Sequence, residues 1–305
     1  MVSMDVFERY EPLIDDFEAF LAACERPLPS VVRVNAIKTG VERARGALDV
    51  AGIGYERTGW RPSLLRLETD RPGATWGSFS GWWYGQEEVS AIPAPVLDPR
   101  PGERVWAACG APGSKAGHLA ALMDDSGTLV ANDRSLGRLS ALRFNLERLG
   151  VTCAAVTNRD ARNFSMQPFG FEAFDRTLVD APCSCEGTIR KNPDALDDWS
   201  EGYLKNVSAI QRSILERAVQ ATRAGGTVVY STCTFAPEEN EAVLDSVLET
   251  ETCRITDFDL ALDHDPGITE WRGEAFDPSV REAKRVYPHH NDTGGFFCAK
   301  LEVGE

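Results

Sequence analysis

Lysine is scarce in this chain. It occurs only as Lys38, Lys115, Lys191, Lys205, Lys284 and Lys300, and 47 acidic residues against 32 basic ones give a formal net charge of −15. That balance argues against a general polyanion binder, because phosphate neutralisation supplies most non-specific nucleic-acid affinity. The acids are scattered along the chain rather than gathered in a tail. A uniformly acidic, lysine-poor surface suits a high-salt cytoplasm, so a halophilic source is an expectation. Also missing is any apolar run of the ~18 residues a membrane span needs, and no basic region followed by an apolar one opens the chain. No membrane partner is expected, and a cytoplasmic monomer is the default. Among the eight cysteines there is no C-x-x-C pair, and Cys183-Ser184-Cys185 lacks the spacing of common zinc sites. In a chain of 305 residues for which no signal peptide is expected, this pattern argues against both a disulfide framework and a metal site.

What is present divides into two parts. Residues 5–24 carry apolar positions at helical spacing, from Val6 and Tyr10 through Leu13, Phe17 and Leu21, and Pro27 and Pro29 close that helix. Val31–Asn35 and Leu64–Leu67 read as strands and Val41–Val50 as a helix, so residues 1–75 form a small α+β unit. The glycine- and aromatic-rich stretch Gly73–Gly85 reads as a packed connector or as an exposed platform for stacking bases. Gln86–Leu97 reads as helical. Over residues 76–305 short apolar runs then alternate with helical patterns. The runs are Arg104–Ala108, Thr128–Ala131, Cys153–Val156, Thr177–Val179 and Thr227–Tyr230; the helices are Gly117–Met123, Leu136–Leu149, Leu204–Thr222 and Glu239–Leu248. Such alternation predicts an α/β fold with a mainly parallel sheet and helices on both faces. There is no internal repeat.

Chemistry concentrates where these strands end, the side on which open α/β sheets bind ligands. The first strand runs into Cys109-Gly110-Ala111-Pro112-Gly113-Ser114-Lys115, whose small residues let backbone N–H groups approach a ligand at a helix start. It is neither a P-loop nor a G-x-G-x-x-G turn. Asp133, Asp160 and Asp180 end the second, third and fourth strand regions. Three acids lining one crevice suit a cofactor that offers ribose hydroxyls, an adenine amine and an ammonium. Two thiols stand in like positions, Cys183 in Asp180-Ala181-Pro182-Cys183-Ser184-Cys185-Glu186-Gly187-Thr188 and Cys233 in Ser231-Thr232-Cys233-Thr234-Phe235.

These stretches resemble the signatures of the Nop2/Sun family of RNA cytosine-5 methyltransferases, in an archaeal-type form. So do Arg33-Val34-Asn35, Gln86-Glu87, Arg285-Val286-Tyr287-Pro288-His289 and Gly295-Phe296-Phe297, in order along nearly the whole chain. The resemblance implies a Rossmann-like, S-adenosylmethionine-dependent sheet whose last strand, Gly295–Leu301, runs antiparallel. It makes residues 1–75 a small RNA-binding domain and residues 76–305 the methyltransferase domain. The implied partner is RNA, either tRNA or rRNA. Cys233 would be the nucleophile and Cys183 would assist product release. Asp180 would hold the cytosine edge, and Lys115 would lie between the methionine end of the cofactor and the base. Asp133 would bind the ribose, Arg138 would support the cofactor and Asp160 would contact the adenine. Cys109, Gly110, Ala111, Pro112, Gly113 and Ser114 would complete the cofactor site.

Two thiols are useful because C5 of cytosine is a poor nucleophile. A thiolate added to C6 makes C5 enamine-like, and a base then removes the C5 proton so that the thiolate leaves. Ala107, Ser114 and Ala116 depart from the family pattern, which has an acid two residues before the first motif's cysteine. A non-catalytic RNA-binding or assembly factor on the same fold is therefore the alternative, and a DNA-type mechanism would make Cys183 the attacking thiol. Cys24, Cys153, Cys185, Cys253 and Cys298 read as packing residues, Trp199 and Trp271 as core, and His289 and His290 as either RNA contacts or caps.

Overall fold

The computed structural model describes residues 4–197 and 199–304. The chain opens on a 3-10 segment, Met4–Leu13, followed by α1 (Phe17–Cys24). The single helix expected over 5–24 is thus broken. Pro12 removes a backbone donor, and Asp16 takes a left-handed conformation (φ 42°) so that its carboxylate caps Ala19 N–H.

Next comes a four-stranded antiparallel sheet of β1 (Ser30–Val34), β2 (Tyr55–Arg57), β3 (Leu64–Leu67) and β4 (Trp83–Gly85), in the order β2-β3-β1-β4. Helix α2 (Val41–Val50) packs Ala44 and Leu48 against it, and the short α3 (Trp76–Phe79) precedes β4. Two segments ignore a division at residue 75. The pairing of Val32 with Gly85 and Val34 with Trp83 carries the first sheet through residue 85. Phe7, Tyr10 and Phe20, in contrast, pack with Phe235, Trp271 and Tyr287 of the large unit. The stretch between 86 and 97 is not one helix. A 3-10 turn at Val89–Ala91 leads to α4 (Pro93–Leu97), because Pro93 has no N–H to continue the preceding turn.

The large unit alternates as expected: β5 (Arg104–Ala107), α5 (Ser114–Leu122), β6 (Thr128–Asn132), α6 (Leu136–Leu149), β7 (Ala154–Thr157), β8 (Phe174–Asp180), α7 (Glu201–Ala221), β9 (Thr222–Thr232) and α8 (Glu241–Thr250). The strands β9-β8-β5-β6-β7 are mutually parallel. The remaining elements are β10 (Cys253–Thr256), β11 (Asp265–Pro266), the hairpin β12 (Glu270–Trp271) and β13 (Glu274–Ala275), β14 (Lys284–Val286), α9 (Pro288–Asn291) and β15 (Phe296–Val303). β15 runs antiparallel to β9, and its far edge carries β14 on the first half and β10 on the second.

Both faces of this sheet are covered. Within β6, Val130 faces the core holding Trp106, Val179, Val228 and Tyr230, while Leu129 and Ala131 face that of Val105, Leu178 and Val229. The order reverses between β5 and β8, which opens a crevice at their carboxyl ends. Among the described residues no helix is long and apolar enough to cross a membrane.

Candidate active site

Above that crevice lies a cavity of about 800 Å³. Its floor is Ala108, Cys109, Pro112, Ser114 and Lys115 after β5, with Asn132, Asp133 and Arg138 after β6. Asp160 stands beyond β7, Asp180 ends β8 and is followed by Ala181, Pro182, Cys183 and Cys185, and Cys233 stands after β9. The structure therefore brings all three acids and both motif thiols to one opening.

Local sequence dictates each position. Gly113 adopts φ +109°, a conformation that strains any residue with a Cβ, and it starts α5 with Ser114 and Lys115 facing the crevice. Asn132 braces the strand ends. Its Nδ2 donates to Ala108 O (2.9 Å) and Arg159 O (3.0 Å), and its Oδ1 accepts from Thr157 Oγ1 (2.9 Å) and Arg159 N–H (3.0 Å). Beside it Asp133 accepts the backbone N–H of Ser135 (2.9 Å) and of Ala111 (3.3 Å) and pairs with Arg138 at 3.5 Å; the Arg138 guanidinium also donates to Ala111 O. β7 ends three residues before Asp160, so this acid does not close the strand. It caps the turn Ala161–Asn163 and is lowered from its usual range by its hydrogen bonds from Arg162.

The reacting end is built from β8 and β9. Lys115 Nζ donates to Asp180 Oδ2 at 2.9 Å, and Ser231 Oγ donates to Asp180 Oδ1 at 3.0 Å. Burial works against the ammonium, but the Asp180 carboxylate outweighs it and Lys115 is raised above its ordinary value. Cys183 Sγ lies 3.3 Å from Cys233 Sγ and 3.8 Å from Cys185 Sγ. Hydrogen bonds with Cys185 and Cys233, then burial, push the Cys183 thiol well up, whereas the bond with Cys183 lowers Cys185. The three therefore titrate as one group rather than as three independent thiols. Cys109, half-buried between β5 and the acids, is pushed up to about 12 by desolvation and is a protonated wall of the cavity.

Two loops hold the thiols together through backbone. Gly187 N–H donates to Cys233 O (2.9 Å), and Gly187 O accepts from Gly295 N–H (2.8 Å). A Cβ on Gly187 would lie 2.5 Å from Gly295 O, so only glycine permits this approach.

Several neighbours were not legible as site residues. Glu87 lines the cavity and accepts the N–H groups of Ser90 and Gly294, both at 3.0 Å, while burial raises its carboxyl. Its one signal in the sequence is the pair Gln86-Glu87. Cys185 is not a packing residue: it sits in the thiol cluster because its backbone turns left-handed (φ 63°) and aims its sulfur at Cys183. Gln211 Nε2 donates to Pro182 O (2.8 Å) and Glu239 Oε2 (2.7 Å), and the same oxygen accepts Ser184 N–H (3.0 Å), clamping the loop around Cys183 from below. The Arg33-Val34-Asn35 stretch joins the two units instead of facing solvent. Arg33 reaches Gln86 Oε1 (3.1 Å) and Ser114 O (3.2 Å), and Asn35 reaches Gly81 O (2.9 Å) and Leu149 O (2.8 Å). His289 and His290 turn their Nε2 atoms to Asp15, at 3.2 and 2.9 Å.

A family model described as 16S rRNA methyltransferase RsmB/F matches residues 94–302. The chain belongs to the RsmB/F family. Its fold and chemistry follow from that membership: it is a Nop2/Sun-type, S-adenosylmethionine-dependent RNA cytosine-5 methyltransferase. It is 34% identical to the tRNA (cytosine(49)-C(5))-methyltransferase of Pyrococcus abyssi, over 98% of this chain and 96% of that protein. It is 37% identical to ribosomal RNA small subunit methyltransferase F of Shigella dysenteriae, over 95% of this chain, but spans only 60% of that relative's length. Among solved structures, a methyltransferase homolog from Pyrococcus horikoshii superposes with a TM-score of 0.86 at 31% identity, covering 99% of this chain and 95% of the other. NSun6 from the same organism, solved with the S-adenosylmethionine analogue SFG, superposes at 0.84 over 99% and 98%, and its 22% identity speaks for the fold alone.

The cavity fits S-adenosylmethionine on its own terms. Ser114 Oγ is buried on its wall with no hydrogen-bond partner among the described residues, so it has a bond to offer. The carboxylates of Asp133, Asp160 and Asp180 can accept from hydroxyl, amine and ammonium donors.

Proposed function

We propose that the chain methylates C5 of a cytosine in tRNA or rRNA through a two-thiol mechanism, with Cys233 as nucleophile and Cys183 as the group that assists release. The observation that carries this reading is the 3.3 Å separation of the two sulfurs at the same cavity wall as the Lys115–Asp180 pair. Bound S-adenosylmethionine would supply an electrophilic methyl group next to these residues. Asp133 would orient its ribose, Arg138 would hold the Ala111 loop and Asp133 in place, and Asp160 would accept from the adenine amine. Cys109 to Ser114 would form the rest of that wall. Asp180, already fixed by Lys115 and Ser231, would take the donor edge of the cytosine.

The proton inventory follows from the cluster. Cys233 is raised by its bond with Cys185 and by burial, against the lowering effect of Cys183, so it rests as a thiol and gives its proton up within the cluster when it adds to C6. Once C5 is methylated, a base such as water in the cavity has to take its proton before the C6–S bond breaks and Cys233 departs as thiolate. Cys183, 3.3 Å from that sulfur, is placed to protonate it. The cytosine reaches this depth only when unpaired or flipped out.

We also assign RNA contact to the small unit around β1–β4. Trp76 and Phe79 on α3 are 62% and 81% exposed, which supports the stacking platform over the packed connector; Trp83 is buried. All eight cysteines are free, in keeping with a reducing cytoplasm. The test uses wild type, Cys183→Ala and Cys233→Ala with labelled S-adenosylmethionine and total RNA in high salt, resolved on denaturing gels. A covalent RNA adduct that accumulates in Cys183→Ala and vanishes in Cys233→Ala is the expected pattern. The reverse pattern makes Cys183 the nucleophile, and RNA binding without adduct or transfer in all three favours the non-catalytic factor.

A further inference from the structure

We infer that Cys183, Cys185 and Cys233 form a binding site for one soft divalent cation of the zinc and cadmium class, and that filling it sequesters the thiol proposed to attack cytosine. The three sulfurs all lie within 4.8 Å of one another. Four-coordinate zinc with Zn–S bonds of about 2.3 Å sets its sulfurs about 3.8 Å apart. The Cys183–Cys185 distance is already 3.8 Å and the Cys183–Cys233 distance is 3.3 Å, so small side-chain adjustments complete a trigonal face.

The third ligand is what turns a catalytic pair into a chelate, and its backbone is unusual. Cys185 holds φ 63° and ψ 19°, a left-handed conformation that side-chain-bearing residues seldom adopt. Thr188 fixes it there, donating from its backbone N–H (2.8 Å) and its Oγ1 (2.7 Å) to Cys185 O. No linear motif announces the site, because two ligands come from the loop after β8 and the third from the end of β9.

Chemistry and charge select the ion. Three sulfur donors favour zinc or cadmium over magnesium or calcium, which take oxygen. Binding is balanced by proton release: one divalent cation and three thiols give an anionic tris-thiolate and up to three protons, fewer if a thiolate is already present. Lys115 and Arg138 line the cavity with the three sulfurs and offset the resulting negative charge, the Lys115 share being divided with Asp180 at 2.9 Å. All three cysteines line the cavity, which leaves the fourth coordination position open toward it.

The experiment is a titration of the reduced full chain with cadmium, followed by thiolate-to-cadmium charge-transfer absorbance. One equivalent per chain is expected, with protons released into weak buffer. Cys185→Gly suits the left-handed backbone and should fold with an unchanged melting temperature, yet bind cadmium at least about 100-fold more weakly. Cys233→Ser should weaken it comparably. Asp15→Asn disables the only other cluster of potential ligands among the described residues, Asp15 with His289 and His290, and should leave the sulfur band intact. One equivalent of cadmium should abolish methyl transfer by wild type, and a chelator should restore it. Absence of a sulfur band in wild type, or equal affinity in Cys185→Gly, would overturn the proposal. Because the band is read without RNA or S-adenosylmethionine, failure of the methyl-transfer reading would leave this result standing, and the converse also holds.

Discussion

Two sets of carboxylates occupy this protein, and they are treated in opposite ways. Glu186 is fully buried and accepts from Tyr10 OH (2.8 Å), Thr234 Oγ1 (2.9 Å), Phe235 N–H (3.2 Å) and Trp199 Nε1. Glu241, equally buried, is committed to Arg285 on both oxygens and to Ile268 N–H. In the strand-end set, Asp180 has one donor on each oxygen and a side chain 30% exposed to the cavity, and Asp133 and Asp160 line the same opening. A carboxylate can accept about four hydrogen bonds. The scaffold acids use that capacity inside the fold, and Asp160 does so too, on Arg162, whereas Asp180 keeps part of it for a ligand. Unused valence at an acid facing the cavity, more than acidity itself, sets Asp180 apart from a structural carboxylate.

Substitutions in the two sets should therefore separate activity from stability. The largest effect is expected at Asp180. Asp180→Asn, which keeps an acceptor for Lys115 and Ser231, should lower methyl transfer by up to about 10⁴-fold while costing less stability than the loss of a scaffold acid; a comparable loss of stability would move Asp180 into the scaffold set. Glu241→Ala should do the opposite. It strands the Arg285 charge in a site 2% exposed, so chemical denaturation should register a loss of about 4 kcal/mol.

Glu239 tests the boundary between the sets. Burial raises its carboxyl to about 7, and among the described residues neither Glu239 Oε1 nor Gln211 Oε1 has a partner, which suits a protonated acid. The unfolded chain loses this proton near pH 4.3, so stability falls as pH rises from there through 7. Glu239→Gln should remove that dependence. It should gain up to roughly 3 kcal/mol over wild type at pH 8 and nothing at pH 4, as read by urea unfolding at the two pH values. The smallest effect belongs to Asp160, whose carboxylate is already shared with Arg162. Asp160→Asn should raise the KM for S-adenosylmethionine about 10-fold with kcat little changed.

The sequence was most informative where local chemistry is obligatory. The five parallel strands and the strand-end acids are carried by short apolar runs and by the residues that stop them, while the antiparallel course of the last strand is implied only by the resemblance to a family. Legibility failed where a long-range contact overrides a local pattern. Periodicity over residues 5–24 is real, but Pro12 and the Asp16 cap divide it, and its apolar face serves Phe235 and Tyr287 far along the chain. Trp83 and its neighbours read as a connector or a stacking platform and not as a strand, because the partner strand that makes β4 lies some fifty residues earlier. Cys185 reads as filler, since nothing in a C-x-C spacing reveals a left-handed backbone or a third sulfur brought in by β9. The Gln211–Glu239 clamp on the Cys183 loop is equally silent, two polar residues on separate elements that meet only in the fold.

The position of β15 has a consequence for how the protein is made. This strand, reaching Val303, is interior to the sheet, with β9 on one side and β14 and β10 on the other. A growing chain that has emerged only as far as α8 exposes the free edge of β9, and with it the unpaired backbone beside Cys233. The thiol loop acquires its Gly187–Gly295 fastening only when residues 295 and beyond have left the ribosome. Assembly of the reactive centre is thus a non-local event in biosynthesis, and the nascent protein carries an open strand edge until β15 arrives.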